Sequence, residues 1–160
     1  METHHVTIPI QVCTPDELPE ADQALIARAK AATQTAYAPY SHFHVGAAIR
    51  LTTGDIVAGS NQENAAFSPS LCAERTTMNW AAANYPGIPF EAIAIAAWRE
   101  SDGAFLDHPI SPCGVCRQSL IESEQRYHRP IRVLLYGSKQ VFVLRSIADL
   151  LPLHFTGEDL

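Results

Sequence analysis

Three cysteines and one glutamate, placed in two short blocks of the chain, have the residue types needed for metal-assisted catalysis. The first block holds Cys72 and Glu74, and the second holds Cys113 and Cys116. Thiolates are tight ligands for Zn²⁺, and a Cys-x-x-Cys pair at the start of a helix presents both sulfurs to one ion. Three protein ligands leave a fourth position open for water, as in a catalytic zinc site. Glu74 is close enough to one ligand to move protons on and off that water.

The elements that must position these side chains are two helices, each of which opens at a cysteine block. The sequence predicts the first over about residues 72–83 and the second over about 113–123. Partial positive charge at a helix N-terminus lowers a thiol pKa and favours the metal-bound thiolate. If both helices follow parallel strands with right-handed crossovers, their N-termini emerge at the same edge of the sheet. We therefore expect the zinc to bridge two helix N-termini.

Hydrophobic patterning along the rest of the chain predicts an α/β fold in which helices enclose a mixed sheet. A helix is predicted from about residue 14 to 35, a loop over 100–110 and a short helix over 146–151. Strands are predicted at 6–12, 44–51, 56–59, 91–98, 131–136 and 141–144. Pro9 lacks a ladder donor, so the first strand should lie at an edge or pair only partly. We expect a single domain over residues 1–160.

Composition narrows the class of protein. The 160 residues carry a net charge of −6 without a run of Lys and Arg, which makes a nucleic acid an unlikely partner. The longest apolar run, at residues 92–98, is too short to cross a membrane. The first residues do not resemble a signal peptide. Four cysteines in an apparently unexported chain indicate metal binding or catalysis before disulfides, so a cytoplasmic enzyme is expected.

Several longer motifs carry a family resemblance. They run in order from about residue 37 to the C-terminus, whereas the first 35 residues are weakly diagnostic. The motifs are Tyr-Ala-Pro-Tyr-Ser-His-Phe at 37–43, Val-Gly-Ala-Ala at 45–48, Asn-Gln-Glu-Asn-Ala at 61–65, Cys-Ala-Glu-Arg-Thr at 72–76 and Ser-Pro-Cys-Gly-Val-Cys-Arg-Gln at 111–118. In these motifs the chain closely resembles the cytidine deaminases of the small, homotetrameric, three-cysteine type. The resemblance implies a three-layer α/β/α sandwich with a mixed five-stranded sheet.

The resemblance also implies a mechanism. One Zn²⁺ per subunit would be held by Cys72, Cys113 and Cys116. Glu74 would take a proton from the zinc-activated water, deliver it to N3 of the cytosine base and later pass a proton to the departing amino group. The products would be ammonia and uridine. The resemblance also implies that Arg75 donates hydrogen bonds to the ligand sulfurs and that Gln118 has a lesser supporting role beside the metal.

Substrate contacts follow from the same resemblance. Phe43 would pack on the pyrimidine, and Asn61 and Glu63 would hydrogen-bond the ribose hydroxyls. The backbone of Ala73 and the carbonyl of Ser111 would lie near the edge of the base. The family forms homotetramers whose active sites borrow residues from neighbouring subunits, and Phe155 is a candidate for such a residue. The expected partner is thus a small nucleoside, with neither nucleic acid nor membrane.

Simpler interpretations of these residues remain open on the sequence alone. The Cys-x-x-Cys pair could be a redox pair. Alternatively, the zinc could be structural, with Cys13 as its fourth ligand, or the whole chain could be a non-catalytic zinc scaffold. Phe43 could be a core residue, Asn61 and Glu63 could stabilise a turn, and Arg75 could form a surface ion pair.

Substrate range is also open. His44 stands where many family members have proline, Met78-Asn79-Trp80 replaces a more usual stretch, and the loop over 99–110 is long. Blasticidin S is therefore an alternative substrate, and the sequence does not separate cytidine from deoxycytidine. A deaminase of tRNA would more often carry histidine in place of Cys72, and a mononucleotide deaminase would need basic residues that bind phosphate.

Overall fold

Seven strands of one mixed sheet form the centre of the computed structural model, which describes residues 1–160. The strands and helices follow one another as β1 (Gln11–Cys13), α1 (Glu20–Ala32), β2 (Phe43–Leu51), β3 (Ile56–Ser60), α2 (Ala73–Asn84), β4 (Phe90–Arg99), β5 (Ala104–Phe105), α3 (Gly114–Tyr127), β6 (Arg132–Tyr136) and β7 (Val141–Leu144). The strand order is β1-β7-β6-β4-β2-β3, and β5 pairs with the end of β4. Only β4 and β6 run parallel.

The expected sandwich and mixed sheet are confirmed, but the expected number of five strands is wrong. The first strand does pair with β7, over Gln11–Cys13 only, because Pro9 cannot continue the ladder. The predicted loop after β4 folds back as β5, and Gly103 permits this reversal with a φ of +59°. The predicted long first helix is also interrupted, since short 3-10 turns flank α1 at Pro15–Glu17 and Thr33–Thr35.

Helix α1 covers one face of the sheet, and its backbone approaches strand β2 closely at Gly46. Its buried residues Leu25, Ile26 and Ala29 pack against small and aliphatic side chains of β2, β4, β6 and β7. Gly46 in β2 is required for this approach, because a Cβ atom there would lie 2.0 Å from the carbonyl oxygen of Ala29. The close packing fixes α1 against the strand that begins at Phe43.

Helices α2 and α3 cover the opposite face. Ala81 of α2 and Leu120 and Ile121 of α3 pack with the buried residues of the central strands, among them Ile49, Ile93, Ile95 and Leu135. Strand β4 is buried on both faces, as its continuous apolar sequence predicts. None of the helices is both long and apolar enough to span a membrane.

The strand directions place the N-termini of α2 and α3 together. Both β3 and β4 run antiparallel to β2, so they point in the same direction. Helix α2 follows β3, and α3 follows β4 and its short return strand β5. Each helix therefore begins near the same edge of the sheet, which confirms the arrangement predicted from the order of elements.

Candidate active site

The three predicted ligands converge at the N-termini of these two helices. Cys72 is the N-cap residue of α2, Cys113 is the N-cap residue of α3, and Cys116 lies in the first turn of α3. The Sγ atom of Cys113 is 3.6 Å from that of Cys72 and 3.4 Å from that of Cys116. All three sulfurs lie within 4.8 Å of one another. Cys13 is in β1 and is not part of this cluster.

The surroundings of the cluster shift the pKa values of Cys72 and Cys116 in opposite directions. Hydrogen bonds from the other two thiols and the positive charge of Arg75 outweigh burial and lower the pKa of Cys72 to about 5. The hydrogen bond to Cys72, burial and the nearby Glu74 carboxylate all raise the pKa of Cys116. Because thiols bind a metal as thiolates, binding of a cation to this cluster is coupled to the release of thiol protons.

The donor set fits Zn²⁺. Three clustered sulfurs at two helix N-termini supply soft anionic ligands in a field of partial positive charge. The Arg75 guanidinium lies beside Cys72 and donates from Nη2 to the Ser70 carbonyl at 3.0 Å, while its buried Nε has no hydrogen-bond acceptor. Arg75 makes no ion pair with a carboxylate, so its charge acts on the thiol cluster.

Glu74 lies in the first turn of α2 and is only 4% exposed. Burial and the neighbouring Cys72 thiolate raise the pKa of its carboxyl group. Glu74 does not belong to the cluster of potential metal ligands, so its carboxyl oxygens are not committed to the metal. A buried carboxyl group that changes protonation state nearer neutrality is suited to general acid–base catalysis.

The predicted substrate contacts surround the same point. A cavity of about 260 Å³, here called the inner cavity, is lined by Phe43, Asn61, Glu63 and Ala73 together with Glu74, Cys72 and Cys113. Ser111, whose carbonyl was expected near the base, also lines it, and Ser41, Val45 and Ile110 complete the wall. The structure therefore brings together residues that are up to 72 positions apart in the sequence.

A larger outer cavity of about 570 Å³ lies next to the inner one. The two share Ser41, Asn61, Glu63, Cys72 and Cys113. The outer cavity extends along Tyr40, Phe67, Leu71 and Val115 and does not include Glu74. Only in the smaller, inner cavity do the carboxyl group of Glu74 and the thiols meet.

Asn61 and Glu63 are held in place by backbone hydrogen bonds. The Asn61 side chain accepts from the Val45 N–H at 2.8 Å and donates to the Phe43 carbonyl at 3.0 Å. One Glu63 carboxylate oxygen accepts from the N–H groups of Tyr40 and Ser41, at 2.9 and 3.3 Å. These are the turn-stabilising contacts of the simpler interpretation, and both side chains line the cavity as well.

The charge of Glu63 is stabilised by the same contacts. Burial alone would raise the pKa of Glu63, but hydrogen bonds from the Ser41 side chain and from the backbone of Tyr40 and Ser41, together with His42, lower it. The carboxylate is therefore ionised at neutral pH and can accept hydrogen bonds from hydroxyl groups.

Two predicted residues occupy other surroundings. Gln118 donates its side-chain amide to the Phe155 carbonyl at 2.7 Å and makes no hydrogen bond to the cysteines. The Phe155 side chain is 56% exposed and lines neither cavity. Ser41, Val45, Ile110 and Phe67 line the cavities without having been predicted to do so, although Ser41 and Val45 belong to the motifs at 37–43 and 45–48.

The fold and the site define a class, that of hydrolases in which a thiolate-bound zinc works beside a non-ligand glutamate. Comparison with known proteins gives the family. The family model described as "Cytidine and deoxycytidylate deaminase zinc-binding region" matches residues 19–128. The chain belongs to this family of zinc-dependent deaminases, and Cys72, Cys113 and Cys116 form its site for one Zn²⁺.

Individual relatives agree with the family match. A cytidine deaminase of Sporosarcina psychrophila is 40% identical over 139 residues, spanning 86% of this chain and 93% of the relative. One from Halalkalibacterium halodurans is 36% identical over 138 residues, spanning 86% and 96%. The crystal structure of a cytidine deaminase from Burkholderia pseudomallei superposes with a TM-score of 0.69 at 42% identity, covering 82% of this chain and 97% of that one.

Proposed function

We propose that this protein hydrolyses cytidine and deoxycytidine to uridine and deoxyuridine and releases ammonia. The observation that carries the proposal is the position of Glu74, which shares the inner cavity with Phe43, Glu63 and the thiol cluster. Beside the zinc site, the Glu74 carboxyl group can carry protons, the Phe43 ring can stack on a base, and the Glu63 carboxylate can accept hydrogen bonds from ribose hydroxyls. The proposed alternative of a non-catalytic scaffold leaves the buried carboxyl group without a purpose.

The chemistry can be divided among the residues of the cavity. When bound, zinc activates a water molecule for attack near neutral pH. Glu74 would accept a proton from that water and give it to N3 of the base while the water oxygen bonds to C4. It would then take the remaining proton of the new C4 hydroxyl and give it to the amino group, so that the C4–N bond breaks, ammonia leaves and C4 keeps the oxygen as a carbonyl. Arg75 would offset the negative charge of three thiolates. The aromatic face of Phe43 would hold the pyrimidine in the orientation that exposes C4.

The charge of the cavity supports a nucleoside over a nucleotide. Glu63 is anionic, and the inner cavity contains no Lys, Arg or His side chain. A 5′-phosphate would enter beside a carboxylate with no positive partner in the inner wall, which is unfavourable. A free base would leave the Glu63 carboxylate without ribose hydroxyls to bind, so it should also be a poorer substrate.

We further propose that residues 1–160 act as one catalytic domain and assemble as a homotetramer. Exposed apolar side chains, among them Trp80 at 52%, Val115 at 58% and Phe155 at 56%, support burial between subunits. All four cysteines are free thiols, which is consistent with a reducing compartment such as the cytoplasm. Light scattering coupled to gel filtration measures the subunit number, and a monomer that deaminates cytidine at full rate would contradict the assembly.

One assay tests the proposed function. Ultraviolet absorbance should follow deamination of cytidine, deoxycytidine, cytosine, CMP and blasticidin S, with zinc content measured on the same preparation. We expect turnover of the two nucleosides, and much weaker turnover of cytosine and CMP. Preferential turnover of blasticidin S would favour the alternative substrate, and a zinc-loaded protein inactive on every compound would contradict the proposal.

A further inference from the structure

The turn before β2 is held from outside the cavity by the end of β4. His42 Nδ1 lies 2.7 Å from Glu100 Oε2, and the Glu100 N–H donates to the His42 carbonyl at 3.2 Å. An ionised carboxylate only accepts hydrogen bonds, so the His42 ring donates. Glu100 thus contacts both the side chain and the backbone of one residue.

That residue has an unusual backbone conformation. His42 has a φ of +54°, in the left-handed region that residues other than glycine seldom adopt. Such a conformation persists only where surrounding contacts maintain it. The contacts here are the hydrogen bond from the His42 N–H to the Ala38 carbonyl, at 3.0 Å, and the two made by Glu100.

The conformation at His42 determines the direction of the residues on either side. Tyr40 and Ser41, just before it, point their N–H groups at the Glu63 carboxylate. Phe43, just after it, lines the inner cavity. A change of the turn at His42 would therefore move the Phe43 ring and remove two hydrogen bonds from Glu63 together.

Arg99 supports the same segment from the neighbouring position. Phe43 and Arg99 are opposite one another in the β2–β4 pairing, and the Arg99 guanidinium carbon lies 5.9 Å from the centroid of the Phe43 ring. Neither Arg99 nor Glu100 lines the inner or the outer cavity. Both act on the cavity through the residues that they hold.

We propose that Glu100, with support from Arg99, is a positioning residue for nucleoside recognition, because it fixes the turn that aims Phe43 at the pyrimidine and Glu63 at the ribose. This inference rests on the proposed function and extends it to residues outside the cavity. The ligand class concerned is a pyrimidine nucleoside with intact ribose hydroxyls.

Steady-state kinetics of Glu100→Ala and Glu100→Gln test the proposal. In Glu100→Ala the backbone hydrogen bond to His42 remains and the side-chain bond is lost, so with cytidine we expect KM to rise by up to about tenfold while kcat changes little. In Glu100→Gln the amide oxygen can still accept from the His42 ring, so the rise should be smaller. With 2′,3′-dideoxycytidine the rise in KM should be smaller, because this nucleoside lacks the hydroxyl groups that Glu63 would bind. A purely structural role for Glu100 would affect both nucleosides alike.

Two further variants sharpen the experiment. Glu122→Gln is the matched control, because Glu122 is exposed on α3 and makes no hydrogen bond or ion pair in the structure. It should behave as the unchanged protein. His42→Asn retains a residue that tolerates the left-handed region but removes the imidazole, so it should reproduce Glu100→Ala. A double variant with His42→Asn and Glu100→Ala should show little further effect, since both substitutions remove the same hydrogen bond.

A readout independent of turnover completes the test. Hydrogen exchange of the Tyr40, Ser41 and His42 amides should accelerate in Glu100→Ala and stay unchanged in Glu122→Gln. Unchanged exchange, or equal KM effects on the two nucleosides, would overturn the proposal. If the unmodified protein deaminates no nucleoside, the proposed function fails instead, and the exchange experiment still decides whether Glu100 holds the turn.

Discussion

Glu74 combines two physical conditions that rarely occur at one carboxyl group. It is buried, which raises its pKa, and it lies beside a thiol cluster without joining it. We expect Glu74→Gln to lower kcat/KM for cytidine by roughly 10²- to 10⁴-fold, because glutamine keeps the shape but carries no transferable proton. Zinc content and circular dichroism of the variant should match those of the unmodified protein. Turnover at the original rate would remove Glu74 from the mechanism.

The four cysteines allow a matched comparison at the same scale. Cys72→Ser should lose bound zinc and activity, because it removes one of the three clustered sulfurs and a serine hydroxyl is a much weaker zinc ligand than a thiolate. Cys13→Ser removes a half-buried thiol from β1, outside the cluster, and should retain both zinc and activity. Metal analysis and the cytidine assay measure the two properties. Zinc loss in Cys13→Ser would support a structural site with four cysteines.

Among the elements, the starts of α2 and α3 were predictable from the sequence, but the start of α1 and several side-chain partners were not. The capping positions of Cys72 and Cys113 follow from local sequence, and the strand order then brings them together. Asp22 is different, since α1 buries it against Arg50 and Arg132 at 3.0 Å each. Those partners lie 28 and 110 positions away, so no local pattern indicates that a charged residue belongs on the inner face of α1.

The close contact of α1 with β2 supports a prediction about stability. Gly46→Ala places a methyl group against the backbone of α1, which cannot yield as a flexible side chain would. We expect the free energy of unfolding to fall by about 1–3 kcal/mol or more, as in other overpacked cores. Urea denaturation measures the change. The control is Gly157→Ala, where an added Cβ meets no atom within 4 Å, and equal stability of both variants would contradict the described packing.

For the whole molecule, the sandwich was predictable because most segments show a helical or strand-like hydrophobic pattern and β4 is continuously apolar. The strand count was not: the pattern gave six strands and the resemblance five, and the seventh, β5, is only two residues long and depends on a reversal at Gly103. The same limit applies to the site. The thiol cluster and Glu74 lie in short motifs, whereas Ile110 lines the cavity only because β2 and the loop before α3 meet there. Apolar residues of that kind carry no chemical signal in the sequence.

The distribution of the core predicts how the whole molecule responds to metal removal. Two clusters of 14 and 12 buried residues cover the two faces of the sheet, and neither includes a zinc ligand. The protein should therefore stay folded without zinc, unlike small domains that depend on their metal. Because metal binds only the folded state, chelation should lower the melting temperature, and added Zn²⁺ should restore it. Circular dichroism melts with and without chelator measure this shift at neutral pH. Complete loss of secondary structure on chelation would show that the metal, rather than the two hydrophobic layers, maintains the fold, and an unchanged melting temperature would show that zinc contributes nothing to folded-state stability.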